Sequence, residues 1–147
     1  MIGLLISSVV ITIVYYALIV FNNQWINYQS KSKQRNEYLL LKKTMGMDID
    51  NASAVTDSSD ERTLTIFVNF QQRIQYQAGN SHVIRVSGEQ VDTFYCGGSI
   101  SGVQYINDSI KLVTSFFLNV NVNKGNIPLL FNKEYTAKEL MKAAISE

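Results

Sequence analysis

The fold is decided by the first 21 residues, which read MIGLLISSVVITIVYYALIVF (1–21). This stretch carries no charged side chain, and its strongly polar members are Ser7, Ser8 and Thr12. As an α-helix rising about 1.5 Å per residue it would be about 31 Å long, which matches the roughly 30 Å hydrocarbon core of a bilayer. A cleavable signal peptide is the alternative, but it has a basic start, a shorter apolar run and a small-residue cleavage site. The sequence therefore favours a retained membrane helix.

Charges are unevenly distributed along the chain. The 147 residues include 13 basic and 12 acidic side chains, for a net charge of +1. Residues 1–30 carry none, residues 31–43 carry a net +4, and residues 44–147 carry a net −3. This profile is typical of an anchored protein. The net acidic C-terminal part argues against nonspecific nucleic-acid binding, and 46% hydrophobic residues exclude a disordered chain.

The helical pattern continues past the apolar stretch. Residues 22–43 contain no Gly or Pro and are rich in Gln, Lys, Glu and Leu, which predicts one continuous helix to about Lys43. We expect an apolar face formed by Tyr38, Leu39 and Leu41 to pack on the sheet that follows.

Aromatic and basic residues mark the boundary between the apolar and polar parts of this helix. Trp25 and Tyr28 lie where an interfacial aromatic belt would fall. Lys31, Lys33 and Arg35 follow them. These cations suit anionic lipid headgroups or an acidic partner, and a solvated helix face explains them equally well.

Residues 44–62 are polar and turn-rich, which predicts a loop. The acidic side chains of this segment are Asp48, Asp50, Asp57, Asp60 and Glu61. They lack the spacing, the Gly and the terminal Glu of a calcium-binding loop, so a solvated acidic loop is favoured over a calcium site.

From Thr63 onward the pattern has a period of two, which predicts half-buried strands. Turn residues at 78–81 and 87–90 join short strands, as in an antiparallel meander. The alternating apolar positions of these strands are Leu64, Ile66, Val68, Phe70, Ile74 and Tyr76, and later Leu112, Phe116, Leu118, Val120 and Val122, in a strand from Ile110 to Val122.

Two further segments complete the pattern. Residues 97–102, GGSISG, are glycine-rich but lack the Lys-Ser/Thr that ends a phosphate-binding loop, so a flexible loop is predicted. Thr136 and Glu139 form a capping box before a short C-terminal helix.

The sequence therefore predicts an α+β fold. Its parts are a transmembrane or filament-core helix at 1–21, an amphipathic continuation at 22–43, the polar loop at 44–62, and an antiparallel sheet head domain with a C-terminal helix at 63–147.

Residues suited to catalysis are few. The chain has one His and one Cys, His82 and Cys96, which supply too few ligands for a zinc site and lack the third member of a triad. We predict no catalytic residue, no metal and no cofactor. A membrane-tethered enzyme using Asp92, His82 and Cys96 is the weakest alternative.

The N-terminal pattern resembles that of type IV pilins and type II secretion pseudopilins. It is an apolar helix, IGLLISSVVITIVYYAL, continuing as NNQWINYQSKSKQRNEYLLLKK before a short-stranded sheet. The run YQAGNSHVIRVSGEQVDTF is similar to minor-pseudopilin hairpins, with Tyr76, Ile84 and Arg85 at the matching positions. The family's leader junction and the glutamate that follows it are absent here. The helix also lacks the proline of many major pilins, which favours a minor subunit.

The resemblance implies a structural, non-enzymatic subunit of a pilin-like filament or pseudopilus serving secretion, adhesion or DNA uptake. Its partners would be other pilin or pseudopilin subunits and, before assembly, the inner membrane, with a periplasmic or extracellular head domain and no nucleic acid bound through that head. The helix residues expected to pack in the membrane or filament are Gly3, Leu4, Leu5, Ser7, Ser8, Val9, Thr12, Ile13, Tyr16 and Val20.

Both the topology and the function have an alternative. The basic residues follow the apolar stretch, so the positive-inside rule alone would place the C-terminal domain in the cytoplasm, unless a basic leader has been lost. The alternative function is a single-pass membrane protein whose extracytoplasmic domain binds a ligand or partner.

Overall fold

The computed structural model describes residues 2–58, 62–69, 72–106, 111–122 and 125–145. These residues form an α+β fold, as the sequence predicts. Its helices and strands in chain order are α1 (Ile2–Asp50), β1 (Ala54–Asp57), β2 (Thr63–Val68), β3 (Gln72–Ala78), β4 (Val83–Ser87), β5 (Gln90–Phe94), β6 (Gly97–Tyr105), β7 (Val113–Val122), β8 (Gly125–Asn132) and α2 (Ala137–Ile145).

The chain divides into two units, Met1–Lys33 and Gln34–Glu147. The described part of the first unit is helical throughout and belongs to α1. The second unit contains the end of α1, all described strands and α2. It holds the hydrophobic core.

Helix α1 runs to Asp50, seven residues beyond the predicted end at Lys43. Its last turns continue a buried row at helical spacing, formed by Leu41, Met45 and Ile49. Burial of this row in the core outweighs the poor helix propensity of Gly46 and of the Asp residues near the end.

The predicted polar loop at 44–62 is therefore wrong over most of its length. It contains the end of α1 and the strand β1, whose Ala54 and Val55 are buried. Residues 59–61, which include Asp60 and Glu61, lie outside the described residues.

The packing face of α1 also differs from the prediction in one position. Leu41 is fully buried and Tyr38 is packed against the core, as expected. Leu39 is 49% exposed, because it points away from the row that Leu41, Met45 and Ile49 form. The prediction that Leu39 packs on the sheet is therefore wrong.

The strands form two antiparallel sheets instead of one. The first has the order β1-β2-β3-β4-β5 and the second the order β6-β7-β8. The predicted alternation is confirmed in β7, where Phe116, Leu118, Val120 and Val122 are buried. Phe70 and Ile110 lie outside the described residues, and β8 was not predicted.

The glycine-rich segment 97–102 belongs to strand β6, so the predicted flexible loop is wrong. Gly98 donates its amide to the carbonyl of Gly79 at 2.8 Å. A Cβ atom on Gly97 would clash with the backbone carbonyl of Asn80. The glycines are needed for close backbone approach between β6 and the β3–β4 turn, a role compatible with a strand.

The capping box is confirmed at the start of α2. The Glu139 carboxylate accepts from the backbone amide of Thr136 at 2.7 Å, and the Glu139 amide donates to the Thr136 hydroxyl at 3.4 Å. The hydrogen bond from the Thr136 amide is the first cause of a lowered pKa of Glu139.

Tyr135 connects the two sheets. Its hydroxyl donates to the Val113 carbonyl of β7 at 2.7 Å and accepts from the Val55 amide of β1 at 3.2 Å. Burial raises the pKa of Tyr135 to about 12. The neutral phenol therefore satisfies one backbone group on each sheet.

Candidate membrane and assembly surface of the N-terminal helix

Apolar side chains are exposed around the whole circumference of α1 in the first unit. Every side chain from Ile6 to Phe21 is exposed, including Ile11, Tyr16 and Leu18. Water-soluble monomers rarely expose contiguous apolar patches larger than a few hundred Å². This surface therefore needs a cover of lipid or protein.

The helix is long and apolar enough to cross a membrane, judged by length and composition. A signal sequence near an N-terminus meets the same test. The finding establishes a candidate anchor or signal sequence.

Two hydroxyl groups of the apolar segment are bonded within the helix. Ser7 donates to the carbonyl of Gly3 at 2.9 Å, and Thr12 donates to the carbonyl of Ser8 at 2.8 Å. Such bonds to the preceding turn remove the cost of placing a free hydroxyl proton in hydrocarbon. The two polar side chains are thus compatible with an apolar surrounding.

The same four residues form two pairs of small side chains. Gly3 and Ser7 are one turn apart, as are Ser8 and Thr12. Successive helical residues turn by about 100°, so the second pair lies about 140° around the helix from the first. The helix therefore offers two separate faces where another helix can approach closely.

The other predicted packing residues are exposed wherever their side chains are described. Those of Leu4 and Leu5 lie outside the described set. The exposed members, besides the two small pairs, are Val9, Ile13, Tyr16 and Val20.

An aromatic ladder follows the apolar segment. The ring centroids of Phe21 and Trp25 are 6.3 Å apart with nearly parallel planes, and those of Trp25 and Tyr28 are 6.4 Å apart. Trp25 is 53% exposed and Tyr28 is 68% exposed. The predicted interface cations Lys31, Lys33 and Arg35 are also exposed.

The second unit contains an ion-pair network that the sequence did not reveal. Arg85 of β4 donates from Nε to Asp48 Oδ2 at 2.7 Å and from Nη2 to Asp48 Oδ1 at 3.1 Å. Tyr76 of β3 donates its hydroxyl to Asp48 Oδ2 at 2.6 Å. Arg85 also donates to Asp92 of β5 at 3.0 Å. The network fixes the last turns of α1 on the first sheet.

The electrostatics of the network follow from these bonds. Hydrogen bonding to Asp48 raises the pKa of Arg85 further above neutrality, and burial, followed by the bond to Asp48, raises the pKa of Tyr76. The pKa of Asp92 is lowered. The main cause is the hydrogen bond from the Gln90 side-chain amide, and the hydrogen bond from Arg85 is a smaller one. The guanidinium is therefore permanently charged and the phenol permanently protonated at neutral pH.

The three residues that a membrane-tethered enzyme would use have three separate environments. Asp92 is bonded to Arg85, His82 Nδ1 lies 2.9 Å from the Ser81 hydroxyl, and Cys96 is buried. Burial raises the pKa of the Cys96 thiol to about 11, which disfavours the nucleophilic thiolate. No hydrogen bond joins the three among the described residues.

The acidic residues of the segment 44–62 do not converge on one point in the described structure. Asp48 and Asp50 lie on α1, whereas Asp57 lies on β1. Within the described ranges, no group of three His, Cys, Asp or Glu side chains is arranged to hold a metal ion.

An open cleft of about 600 Å³ lies beside the start of α2 and was not predicted. Its wall includes Gln104, Ser115, Lys133 and Tyr135. The Ser115 hydroxyl already donates to the Gln104 side-chain oxygen at 2.8 Å. Two of the polar side chains that line the cleft are therefore hydrogen-bonded to each other.

No protein-family model matches the chain, nor does any curated protein or solved structure. The arrangement of a long apolar N-terminal helix and an antiparallel sheet is compatible with a pilin-like fold without confirming it. These features define an α+β protein with a candidate membrane helix.

Proposed function

We propose that the protein is a non-enzymatic structural subunit of a pilin-like filament or pseudopilus. It is anchored in the inner membrane by residues 1–21 before assembly, and residues 34–147 form a head domain outside the cytoplasm. The observation that carries this proposal is the fully exposed apolar surface of α1 from Ile6 to Phe21. Lipid covers this surface before assembly and neighbouring subunits cover it afterwards.

The two small-residue faces support a filament over a closed dimer. A two-fold dimer uses one self-complementary patch, whereas an open assembly needs two different surfaces on each subunit. The pairs Gly3–Ser7 and Ser8–Thr12 supply two such surfaces about 140° apart. Each subunit can therefore contact two neighbours at the same time.

The end of α1 supports a structural role for the head domain. Leu41, Met45 and Ile49 lie in the core of the second unit, and Asp48 is paired with Arg85. The helix end and the sheets thus form one packed body. A rigid connection between the helix end and the head domain suits a subunit whose head is positioned by its helix in an assembly.

Disulfide cross-linking in membranes of the native host tests the proposal. The chain has one cysteine, Cys96, so a Cys96→Ala background leaves only introduced thiols. Ser7→Cys and Thr12→Cys are made in this background, singly and together, and oxidised in the membrane. In an open assembly Ser7 of one subunit faces Thr12 of the next, so we expect a ladder of higher multimers from the double variant and only collisional dimers from either single variant.

The matched control is Glu89→Cys, which places an exposed thiol in the turn between β4 and β5. It measures cross-linking that results from random collision. Products that stop at the dimer in the double variant, or that do not exceed the control, would contradict the filament proposal. They would favour the alternative, a membrane-anchored protein that binds a ligand or partner through its head.

A further inference from the structure

The aromatic ladder has the chemistry of a membrane-interface contact. Phe21, Trp25 and Tyr28 lie at helical spacing on one side of α1, and their rings contact one another in sequence. The indole and phenol groups are amphipathic, and such side chains are enriched at the level of lipid headgroups. The residues between the rings are uncharged, so the apolar part of the ladder can reach the acyl-chain boundary.

Cations follow the ladder closely. Lys31 lies six residues after Trp25, which is about 9 Å along the helix axis. Residues 1–36 contain three basic side chains and no acidic one. A ligand that meets the rings therefore meets net positive charge about two turns further on.

We propose that Phe21, Trp25, Tyr28, Lys31 and Lys33, the headgroup band, bind anionic phospholipid headgroups in preference to zwitterionic ones. The rings pack beside the glycerol and upper acyl region, and the ammonium groups contact the phosphates. Charge complementarity favours an anionic lipid, because this segment is positively charged and the surface of an anionic leaflet is negatively charged. The inference rests on the membrane anchoring in the proposed function and adds the lipid class.

The lone tryptophan of the chain makes the proposal measurable. Trp25 is the chain's single Trp, and it lies inside the headgroup band. Bromine atoms on lipid acyl chains quench tryptophan fluorescence at contact distance. Quenching therefore reports which lipid lies next to the band.

The experiment uses the full chain in vesicles made of equal amounts of phosphatidylglycerol and phosphatidylcholine. In one set the phosphatidylglycerol is brominated, and in the other the phosphatidylcholine. We expect stronger quenching by brominated phosphatidylglycerol. Each participating cation should raise the association constant for phosphatidylglycerol, relative to that for phosphatidylcholine, about fivefold. The preference should fall as salt is added.

Charge variants separate the band from general positive charge. Lys31→Gln/Lys33→Gln should sharply reduce the difference between the two sets, because Arg35 is then the one cation left in residues 1–36. The control Lys42→Gln/Lys43→Gln removes the same charge from exposed positions further along α1 and should retain it. All of these side chains are exposed, so folding should be unchanged in the far-ultraviolet circular dichroism spectrum.

Two results would overturn the proposal in distinguishable ways. Equal quenching by the two brominated lipids in the native chain would exclude the anionic preference and leave the anchoring intact. An acidic segment of another protein as the true occupant would give this result. Absence of quenching by either lipid would show that Trp25 does not reach the bilayer, which would also contradict membrane anchoring.

Discussion

Replacing Arg85 with Leu should destabilise the second unit by about 3 kcal/mol, at the lower end of the range for breaking a buried ion pair. The Arg85 and Asp48 side chains are each 13% exposed, and two hydrogen bonds join them. Removal of the guanidinium leaves the Asp48 carboxylate with the Tyr76 hydroxyl as its remaining side-chain donor in this network. The cost is mainly that of an uncompensated, largely buried negative charge.

Two further variants test the origin of that cost. Asp92→Asn removes the other partner of Arg85, which is 35% exposed, so the loss should be at most about 1 kcal/mol. The double change Asp48→Leu/Arg85→Leu removes both buried charges and should be less destabilising than Arg85→Leu alone, by about 1 kcal/mol or more.

Acid should reduce the contribution of Asp92 in a defined direction. Hydrogen bonds from Gln90 and Arg85 lower the folded-state pKa of Asp92 below its unfolded value. Its contribution is therefore fully present above about pH 4, the usual range of an unfolded Asp, and is lost as the pH falls through the folded pKa. The stability difference between the native chain and Asp92→Asn should shrink accordingly.

Urea unfolding of the full chain in a mild detergent measures these differences. The near-ultraviolet circular dichroism of the tyrosines reports tertiary packing, and Tyr76 lies in the core at the network. An Arg85→Leu variant within about 1 kcal/mol of the native chain at neutral pH would refute the reasoning. So would a double variant that is less stable than the single one.

Three other changes have defined outcomes. Tyr135→Phe should cost about 1–3 kcal/mol in urea unfolding, because the Val113 carbonyl loses its partner; an unchanged midpoint would contradict the bridging role. Cys96 should react with a thiol reagent at pH 8 only as fast as the protein opens, given its burial and a pKa of about 11, so rapid labelling of folded protein would refute this. Gly97→Ala should lower the thermal midpoint by several degrees through its clash with Asn80, and an equal or higher midpoint would show that this approach is not tight.

Local periodicity predicted much of the fold. The apolar helix, the alternation of β7 and the capping box of α2 each depend on residues close in sequence, and all three are confirmed. The sequence predicts too early an end for α1, because the polar residues near Asp50 and Gly46 have the composition of a loop. The row of Leu41, Met45 and Ile49 overrides them only once the sheets are present to cover it.

Long-range contacts account for what the sequence did not reveal. The glycines at 97 and 98 have the composition of a loop, and only the approach of the β3–β4 turn explains them in a strand. The pairing of Asp48 with Arg85 joins residues 37 positions apart. It could not be predicted while Asp48 was assigned to a loop.

The exposed apolar surface of α1 was predictable because hydropathy alone determines it. Which faces of that surface contact other helices depends on partners outside the chain. The proposed assembly assigns such contacts to the two small-residue pairs, Gly3–Ser7 and Ser8–Thr12. Cross-linking is needed to establish their use.

Retention of the apolar helix in the mature protein is the most direct test of the proposed anchoring. The membrane fraction of native host cells is washed with alkaline carbonate, and the intact mass of the protein that remains is measured. We predict a membrane-bound chain whose mass and peptides include residues 3–21. A mature chain that begins after Phe21 and is released into the soluble fraction would show a cleaved signal sequence and contradict the anchor.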